Sequence, residues 1–384
     1  MRVAVIFFNI GGYHAARLEA ANTFMNDQGY ELSAIEILGS SSQHPWQFDK
    51  TDMSYGMVTL FNHENELSTR QLGLKLKVEL GKINPDVLVI PGWGSLEAKV
   101  ALGWAKAKNI RTVVMSESKK DDAPRNVLRE WYKSHHFIRK YDTGLVGGRA
   151  HRDYLQSLGM PGDKIFLGYD AVDNDYFQKS VASVRSTEKV SREKAAAIPS
   201  KRYFLSVTRF IPRKNLARLI EAYAAYCQQV GADHAWPLVL CGNGGEEQSI
   251  QQKVDALQLN GLVHLPGFIN YEMVPYWYAF AGAFIHPAIQ EQWGLVVNEA
   301  AASGLPILCS NTVGAAAELV NDGVNGFTFP PLAGDAIADV LLKTHQLGND
   351  ELLAMGVASQ KIVAEWGPER FADGLLNAVS ATTH

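Results

Sequence analysis

Short runs of aliphatic and β-branched residues alternate with helix-length segments along the whole chain, the pattern of parallel sheets built from βαβ units. In the first half these runs predict strands at Val3–Phe8, Leu32–Leu38, Val87–Ile90, Thr112–Met115 and Gly144–Val146. A second series starts at Tyr203–Val207 and continues through Leu238–Cys241, Val263–Leu265, Ala283–Ile285 and Ile307–Cys309. Between the two series lies the polar stretch Lys179–Ser200, which reads as a linker crossing from one domain to the other. The last helical segment, Pro368–Val379, follows a Trp366-Gly367 break and is a candidate to pack back on the first domain. The pattern thus predicts an α/β protein of two doubly wound domains in series, 1–180 and 181–366, with 367–384 returning to the first. Ligands of such sheets bind at the carboxyl ends of the strands, so the loops there are where chemistry is sought.

Composition narrows the picture. A chain of 384 residues exceeds what one hydrophobic core usually supports, and 47% hydrophobic residues mark it as globular. A net charge of -4 gives no global reason to expect a nucleic-acid partner. The three cysteines, Cys227, Cys241 and Cys309, lack any CxxC spacing and read as buried thiols of a reducing compartment. The opening MRVAVIFFNIGG reads as a first strand rather than a leader, and the apolar stretch Tyr276–Ile285 stops at His286-Pro287, short of membrane-spanning length. The expected location is cytoplasmic, with contact at the inner face of a membrane peripheral if present.

Three loops carry candidate chemistry. After the strand ending at Phe8, Gly11 and Gly12 leave room for a ligand to approach backbone N–H groups at the start of a helix near Tyr13, although a strand-to-helix turn needs glycine for geometry alone. Arg209 and Lys214, in SVTRFIPRKN, stand between a strand and an amphipathic helix, where two cations suit a diphosphate or simply a solvated loop. The stretch EQWGLVVNEAAASG holds two carboxylates. Glu291 lies on the loop Pro287–Trp293, and the helix Gly294–Ser303 opens with Leu295 and Val296, whose free N–H groups can share a diphosphate. Glu299, one turn in, is placed to accept ribose hydroxyls, or to complement the helix dipole.

The quoted stretches, with LVLCGNGGEEQSI, VHLPGFINYEMVPYWYAFAGAFIHP and GLPILCSNTVGAAAELVNDGVNGFTF, resemble glycosyltransferase family 4, retaining enzymes of the GT-B fold. The resemblance covers most of the second domain and is looser in the first, where DKIFLGYDAVDNDYF is similar to the domain-closing segment and GGY stands at the glycine loop. It implies two Rossmann-like domains facing across a deep cleft. Arg209 and Lys214 would then hold the donor diphosphate, and Glu291 would meet the donor sugar, these three being the catalytic set. Gly11, Gly12, Ile269, Trp293, Gly294, Leu295, Val296 and Glu299 would bind the donor, and Tyr13, His14 and Arg17 would lie on the acceptor side. Where the family often carries a histidine after the fourth strand, this chain has Ser116-Glu117-Ser118.

The resemblance implies transfer of a sugar from a nucleotide diphosphate sugar to an acceptor hydroxyl, with a saccharide or lipid-linked saccharide as acceptor and a place in polysaccharide or glycoconjugate biosynthesis. No metal or other cofactor is expected, because side chains and the helix N-terminus neutralise the leaving group. The Asp173–Asp175 pair, a DxD spacing, sits in the segment joining the domains and reads as structural. Alternatives are an epimerase or another enzyme of the same fold, and a nucleotide-sugar binding protein without turnover. The basic, partly amphipathic segment Val127–Lys140 reads first as a solvated helix face and second as a contact for an anionic lipid or polyprenyl phosphate.

Overall fold

A computed structural model describes residues 1–40, 50, 52–194 and 197–383, with the backbone alone considered for 192–194. It divides into two units, residues 1–173 with 366 onward, and residues 174–365.

The first unit is a seven-stranded parallel sheet, β1 (Arg2–Phe7), β2 (Glu31–Leu38), β3 (Gly56–Phe61), β4 (Val87–Pro91), β5 (Arg111–Ser116), β6 (Thr143–Val146) and β7 (Ile165–Leu167), in the order β3-β2-β1-β4-β5-β6-β7. Its helices in chain order are α1 (Gly12–Asp27), α2 (Thr69–Ile83), α3 (Leu96–Ala107), α4 (Val127–His136) and α5 (Arg149–Ser157). Because successive strand residues point to opposite faces, the central strands build two cores at once. Val3, Val5 and Phe7 join Val87 and Val89 on one face, while Ala4 and Ile6 join Leu88 and Ile90 on the other, under α2 and α3.

The second unit opens with two helices, α6 (Asn174–Ser186) and α7 (Glu188–Lys194), where the sequence suggested a linker. Residues 195 and 196 of that stretch lie outside the described residues. Phe177, Val181 and Val184 recur at helical spacing and are buried, so a mostly polar segment still folds as a helix by burying one stripe. Its sheet contains β8 (Phe204–Val207), β9 (Leu238–Cys241), β10 (Val263–Gly267), β11 (Ala283–His286), β12 (Ile307–Ser310) and β13 (Gly326–Phe329), ordered β10-β9-β8-β11-β12-β13, again all parallel. Between and after these strands run α8 (Leu216–Val230), α9 (Glu247–Ala256), α10 (Val274–Phe280), α11 (Leu295–Ala302), α12 (Ala316–Leu319), α13 (Gly334–His345) and α14 (Asn349–Val363).

The chain then returns to the first unit through α15 (Pro368–Ser380), which packs along α1 and adds Phe371, Leu375, Ala378 and Val379 to the core built on Val3 and Val5. Residue 384 lies outside the described residues. Cys227, Cys241 and Cys309 are buried free thiols. Three strands, β3, β7 and β13, have no counterpart in the sequence pattern. Each is a sheet edge with a single neighbour, and glycine or threonine interrupts β3 and β13, so the apolar run that marks a central strand is absent. No helix among the described residues is long and apolar enough to cross a membrane.

Both sheets reverse their strand order once, between β1 and β4 in the first unit and between β8 and β11 in the second. Loops leaving the carboxyl ends of two such neighbours run in opposite directions and leave a crevice between them, which places each unit's ligand site.

Candidate active site

In the second unit the loop after β8 carries Arg209 and a single helical turn, Pro212–Lys214, before α8 begins. The loop after β11 carries Glu291. Backbone and side-chain bonds stitch the two together: Ile289 N–H donates to the Arg213 carbonyl at 2.9 Å, and the Asn215 amide donates to Pro287 and Pro331 carbonyls at 3.1 and 2.7 Å. Asn215 can do so because it adopts a left-handed conformation, φ 61°, that turns its side chain back under the loop. The Arg209 loop is braced from its other side by Gly242, φ +142°, where a Cβ would collide with the Thr208 carbonyl.

This stitching brings Lys214 Nζ onto Glu291 Oε2, an ion pair across 77 residues of sequence in which both side chains are about nine-tenths buried. His286, the last residue of β11, is fully buried with its Nε2 3.5 Å from the same carboxylate oxygen and its ring stacked on Phe284. Burial would raise the Glu291 carboxyl, but the facing imidazole and the Lys214 ammonium outweigh it and hold the group far below the ordinary carboxylate range. Lys214 is the mirror case. Burial pulls its pKa down, Glu291 pulls it back up, and Arg213 and Arg209 press it down again. His286 is lowered by burial, against the pull of Glu291. The site is therefore a buried Lys214–Glu291 pair with two further cations, Arg213 and an exposed Arg209, close enough to press on the lysine. That surplus of positive charge at a sheet's switch point is what a polyanion requires.

Next to the pair, Gly294 caps α11 in the left-handed region, φ +99°, packed between Val313 and Glu291. The first helical residues, Leu295 and Val296, follow it and present N–H groups toward the same edge as Lys214 and Glu291. Two of the expected donor-binding residues also have partners within the fold. The Trp293 side chain is buried in the core and its indole N–H donates to Asn298 at 2.9 Å, so only its backbone lies along the loop. Glu299 is buried and accepts the Tyr278 hydroxyl at 2.8 Å through one of its two carboxylate oxygens. Ile269 is half-buried on the loop after β10, two strands from β8 along the same carboxyl edge.

In the first unit Gly11 caps α1, Gly12 begins it, the Phe7 and His14 rings meet at 4.5 Å, and Tyr13 is half-buried. Arg17 is not on a surface. Its Nε donates to the Ala171 carbonyl at 2.8 Å, its guanidinium lies over the Tyr169 ring, and it sits beside Asp170, itself fully buried. Burial first, and then the Glu117 charge, raise the Asp170 carboxyl well above its ordinary value, against the pull of Arg17. Thus the glutamate that occupies the position after β5 faces a buried acid whose carboxyl its charge helps to raise. Of the DxD residues, Asp175 is exposed in the first turn of α6 and pairs with Lys179 at 2.7 Å. Among the described residues no group of three or more His, Cys, Asp and Glu side chains is arranged to hold a metal.

Sequence reasoning grouped Arg209, Lys214 and Glu291 at one site but missed the Lys214–Glu291 ion pair and His286. The pairing is a contact over 77 positions that no local pattern encodes. His286 had a signal: a polar residue closing an apolar strand at the ligand-binding edge.

Residues 187–355 match the family model described as glycosyl transferases group 1, which lies within the second unit. The chain is 29% identical over 202 residues to O-antigen chain mannosyltransferase B of Escherichia coli, covering 52% of this chain and 50% of that protein. It is 32% identical over 159 residues to sucrose-phosphate synthase of Zea mays, covering 38% of this chain and 15% of that one. The chain thus spans about half the length of the first of these relatives and much less of the second. Among solved structures, a glycosyltransferase from Rickettsia africae superposes with a TM-score of 0.76 at 15% identity, covering 100% of this chain and 98% of that one. Anabaena HepE, in complex with UDP and glucose, superposes with a TM-score of 0.74 at 16% identity over 99% of each chain. The fold is GT-B, and the match to the glycosyl transferases group 1 model lies wholly in the second unit.

The Asp170 setting makes a prediction with a definite sign. A carboxyl whose folded pKa is raised above 3.8 binds more protons folded than unfolded, so its contribution to stability falls as pH rises from that value toward the folded pKa. Asp170→Asn removes this penalty. Urea melts at a series of pH values should show the variant gaining on the parent as pH rises from about 4 to about 7, by at most roughly 1.4 kcal/mol per pH unit, and converging with it in acid. Parallel curves would show that Asp170 titrates normally.

Proposed function

We propose that the chain is a glycosyltransferase that moves a sugar from a nucleotide diphosphate sugar to an acceptor hydroxyl with retention of anomeric configuration. The observation that carries the reading is the buried Lys214–Glu291 pair at the β8/β11 switch point, flanked by Arg209 and by the start of α11, inside the segment that matches the group 1 model. The relatives support a sugar donor of this kind: one is a mannosyltransferase, and HepE carries UDP and glucose. A saccharide or lipid-linked saccharide is the acceptor class, and polysaccharide or glycoconjugate synthesis the setting.

In this reading the diphosphate lies against Lys214, Arg209 and the N–H groups of Leu295 and Val296. Charge accumulates on the leaving oxygen as the glycosidic bond breaks, and Lys214, already desolvated and fixed in place, stabilises it without reorganising, with Arg209 closing on it from the exposed side. The departing phosphate oxygen takes the acceptor's proton on the face it leaves, so the acceptor attacks from that same face and no protein base is needed. Glu291 holds the donor sugar by hydrogen bonds. Its contact with Lys214 adds a second task, because a desolvated ammonium far from any anion would lose its proton. Neutralisation by side chains makes a metal unnecessary, so transfer proceeds in the presence of a chelator.

Incubation with a panel of nucleotide sugars, mannose and glucose donors included, with and without acceptor, tests the class. Release of nucleoside diphosphate together with a product of retained configuration supports transfer. Interconversion of the donor sugar alone marks an epimerase, and tight binding with no turnover marks a binding protein.

Two sets of variants test the roles. Arg209→Ala and Lys214→Ala should each lower kcat/KM on the order of 10²-fold while leaving the fold intact by circular dichroism, and wild-type kinetics would remove the diphosphate assignment. Glu291→Gln keeps hydrogen-bonding capacity but removes the charge that holds Lys214 protonated. The variant should retain transfer with unchanged configuration, and its activity should fall at a lower pH than in the parent on the alkaline side, because the active Lys214 cation loses its proton earlier. Complete loss of turnover at every pH would assign Glu291 an obligate chemical role instead.

A further inference from the structure

The first unit carries a helix whose amphipathic face is turned outward. In α4, Val127, Trp131 and His135 follow one another at spacings of four, as do Leu128, Tyr132 and His136, and the two rows lie side by side. A helix on a parallel sheet ordinarily turns such a stripe inward. Here Val127 is 85% exposed, Leu128 77%, Trp131 56% and Tyr132 51%, while Ser134 is the buried position. Among the described residues no other helix exposes more than two large hydrophobic side chains. The rings are ordered against each other, Trp131 stacked on His135 at 4.5 Å and Tyr132 against His136 at 4.3 Å. Asn126 caps the helix through bonds from Leu128 and Arg129 N–H, so the outward rows are fixed rather than frayed.

The charge around this face is one-sided. Residues 119–140 hold seven Lys and Arg against three acids in a chain whose net charge is -4. Each acid is already paired: Asp121 with Lys119 at 3.0 Å, Asp122 with Arg125, and Glu130 with Lys133 at 2.7 Å. Lys120, Arg129, Arg139 and Lys140 are left exposed with no acid partner among the described residues. A protein partner presents a mosaic of both signs and would be met by a mosaic. An excess of unpaired cations in the segment that carries Trp, Tyr and Leu complements a surface of uniform negative charge with an apolar interior.

We propose that α4 is a membrane-docking element, lying in the headgroup region of an anionic bilayer with Val127, Leu128, Trp131 and Tyr132 inserted and Lys120, Arg129, Arg139 and Lys140 on the lipid phosphates. A ten-residue helix is too short to span and long enough to lie in the interface. α4 follows β5, so its exposed first turn stands at the carboxyl edge of the sheet, the edge where α1 begins at Gly12. Together with the transfer reaction proposed above, on which this last step rests, docking there selects an acceptor anchored in the lipid rather than free in solution.

Flotation of the full chain with vesicles tests the docking without reference to activity. The protein should float with vesicles of phosphatidylglycerol and phosphatidylcholine, remain in solution with phosphatidylcholine alone, and be released by high salt. The double variant Leu128→Glu/Trp131→Glu should bind on the order of tenfold or more weakly, while its melting temperature and its stabilisation by donor match the parent. Binding unchanged in that variant, or no binding to anionic vesicles by the parent, overturns the proposal. So does a concentration-dependent dimer in sedimentation that the variant abolishes, since a second copy would then be the occupant. Donor-induced stabilisation is read in the same samples, so a failure of docking and a failure of the glycosyltransferase reading give different results.

Discussion

An ammonium and a carboxylate buried together at the edge of the second sheet are the constraint around which that unit's site is arranged. Neither Lys214 nor Glu291 could stay charged there alone, because burial penalises each ion by several kcal/mol. Their mutual attraction offsets that cost only if both loops hold still. The Asn215 bonds to Pro287 and Pro331, the Ile289 bond to Arg213 and the glycine that lets β9's loop press on Thr208 are the means. What looks like loop detail is the support of one ion pair.

A buried ion pair is a poor stabiliser, and replacement by apolar residues is often neutral or favourable. Its presence at a switch point, with Arg209 and Arg213 crowding the lysine, therefore argues for function rather than stability. Lys214 is charged, poorly solvated and pressed by like charges, and a ligand with negative oxygens relieves all three conditions. Gly294 and the start of α11 bring a second positive end to the same place without another side chain.

How much of this could be read from residues alone follows from the range of each interaction. Central strands are visible because burial on both faces makes them uninterrupted apolar runs, as in Val87–Val89 and Leu238–Leu240. The edges β3, β7 and β13 are not, and α6 passed for a linker because three apolar residues suffice to seat it. The chemistry was legible as residue types on the right loops: Arg209, Lys214, Glu291 and the glycine before α11. It was not legible as partnership. Trp293 and Glu299 stand out by their place in the motif, and the sequence does not show that the first bonds Asn298 and the second Tyr278. Arg17 looked available at the start of a helix, and it is a buried counter-ion to Asp170. The amphipathic pattern of α4 was legible in Val127–Lys140, but periodicity gives the angle between rows and not which way the apolar rows face.

The central claim is that the Lys214–Glu291 pair is one half of a diphosphate site whose other half is the start of α11. A crystal structure of the protein with a nucleoside diphosphate bound tests it most directly. The account predicts phosphate oxygens within hydrogen-bond distance, about 2.7–3.2 Å, of Lys214 Nζ and of the Leu295 and Val296 amides, with Glu291 still touching the lysine. Phosphates bound elsewhere, with Lys214 and Glu291 engaged solely with each other, would contradict it.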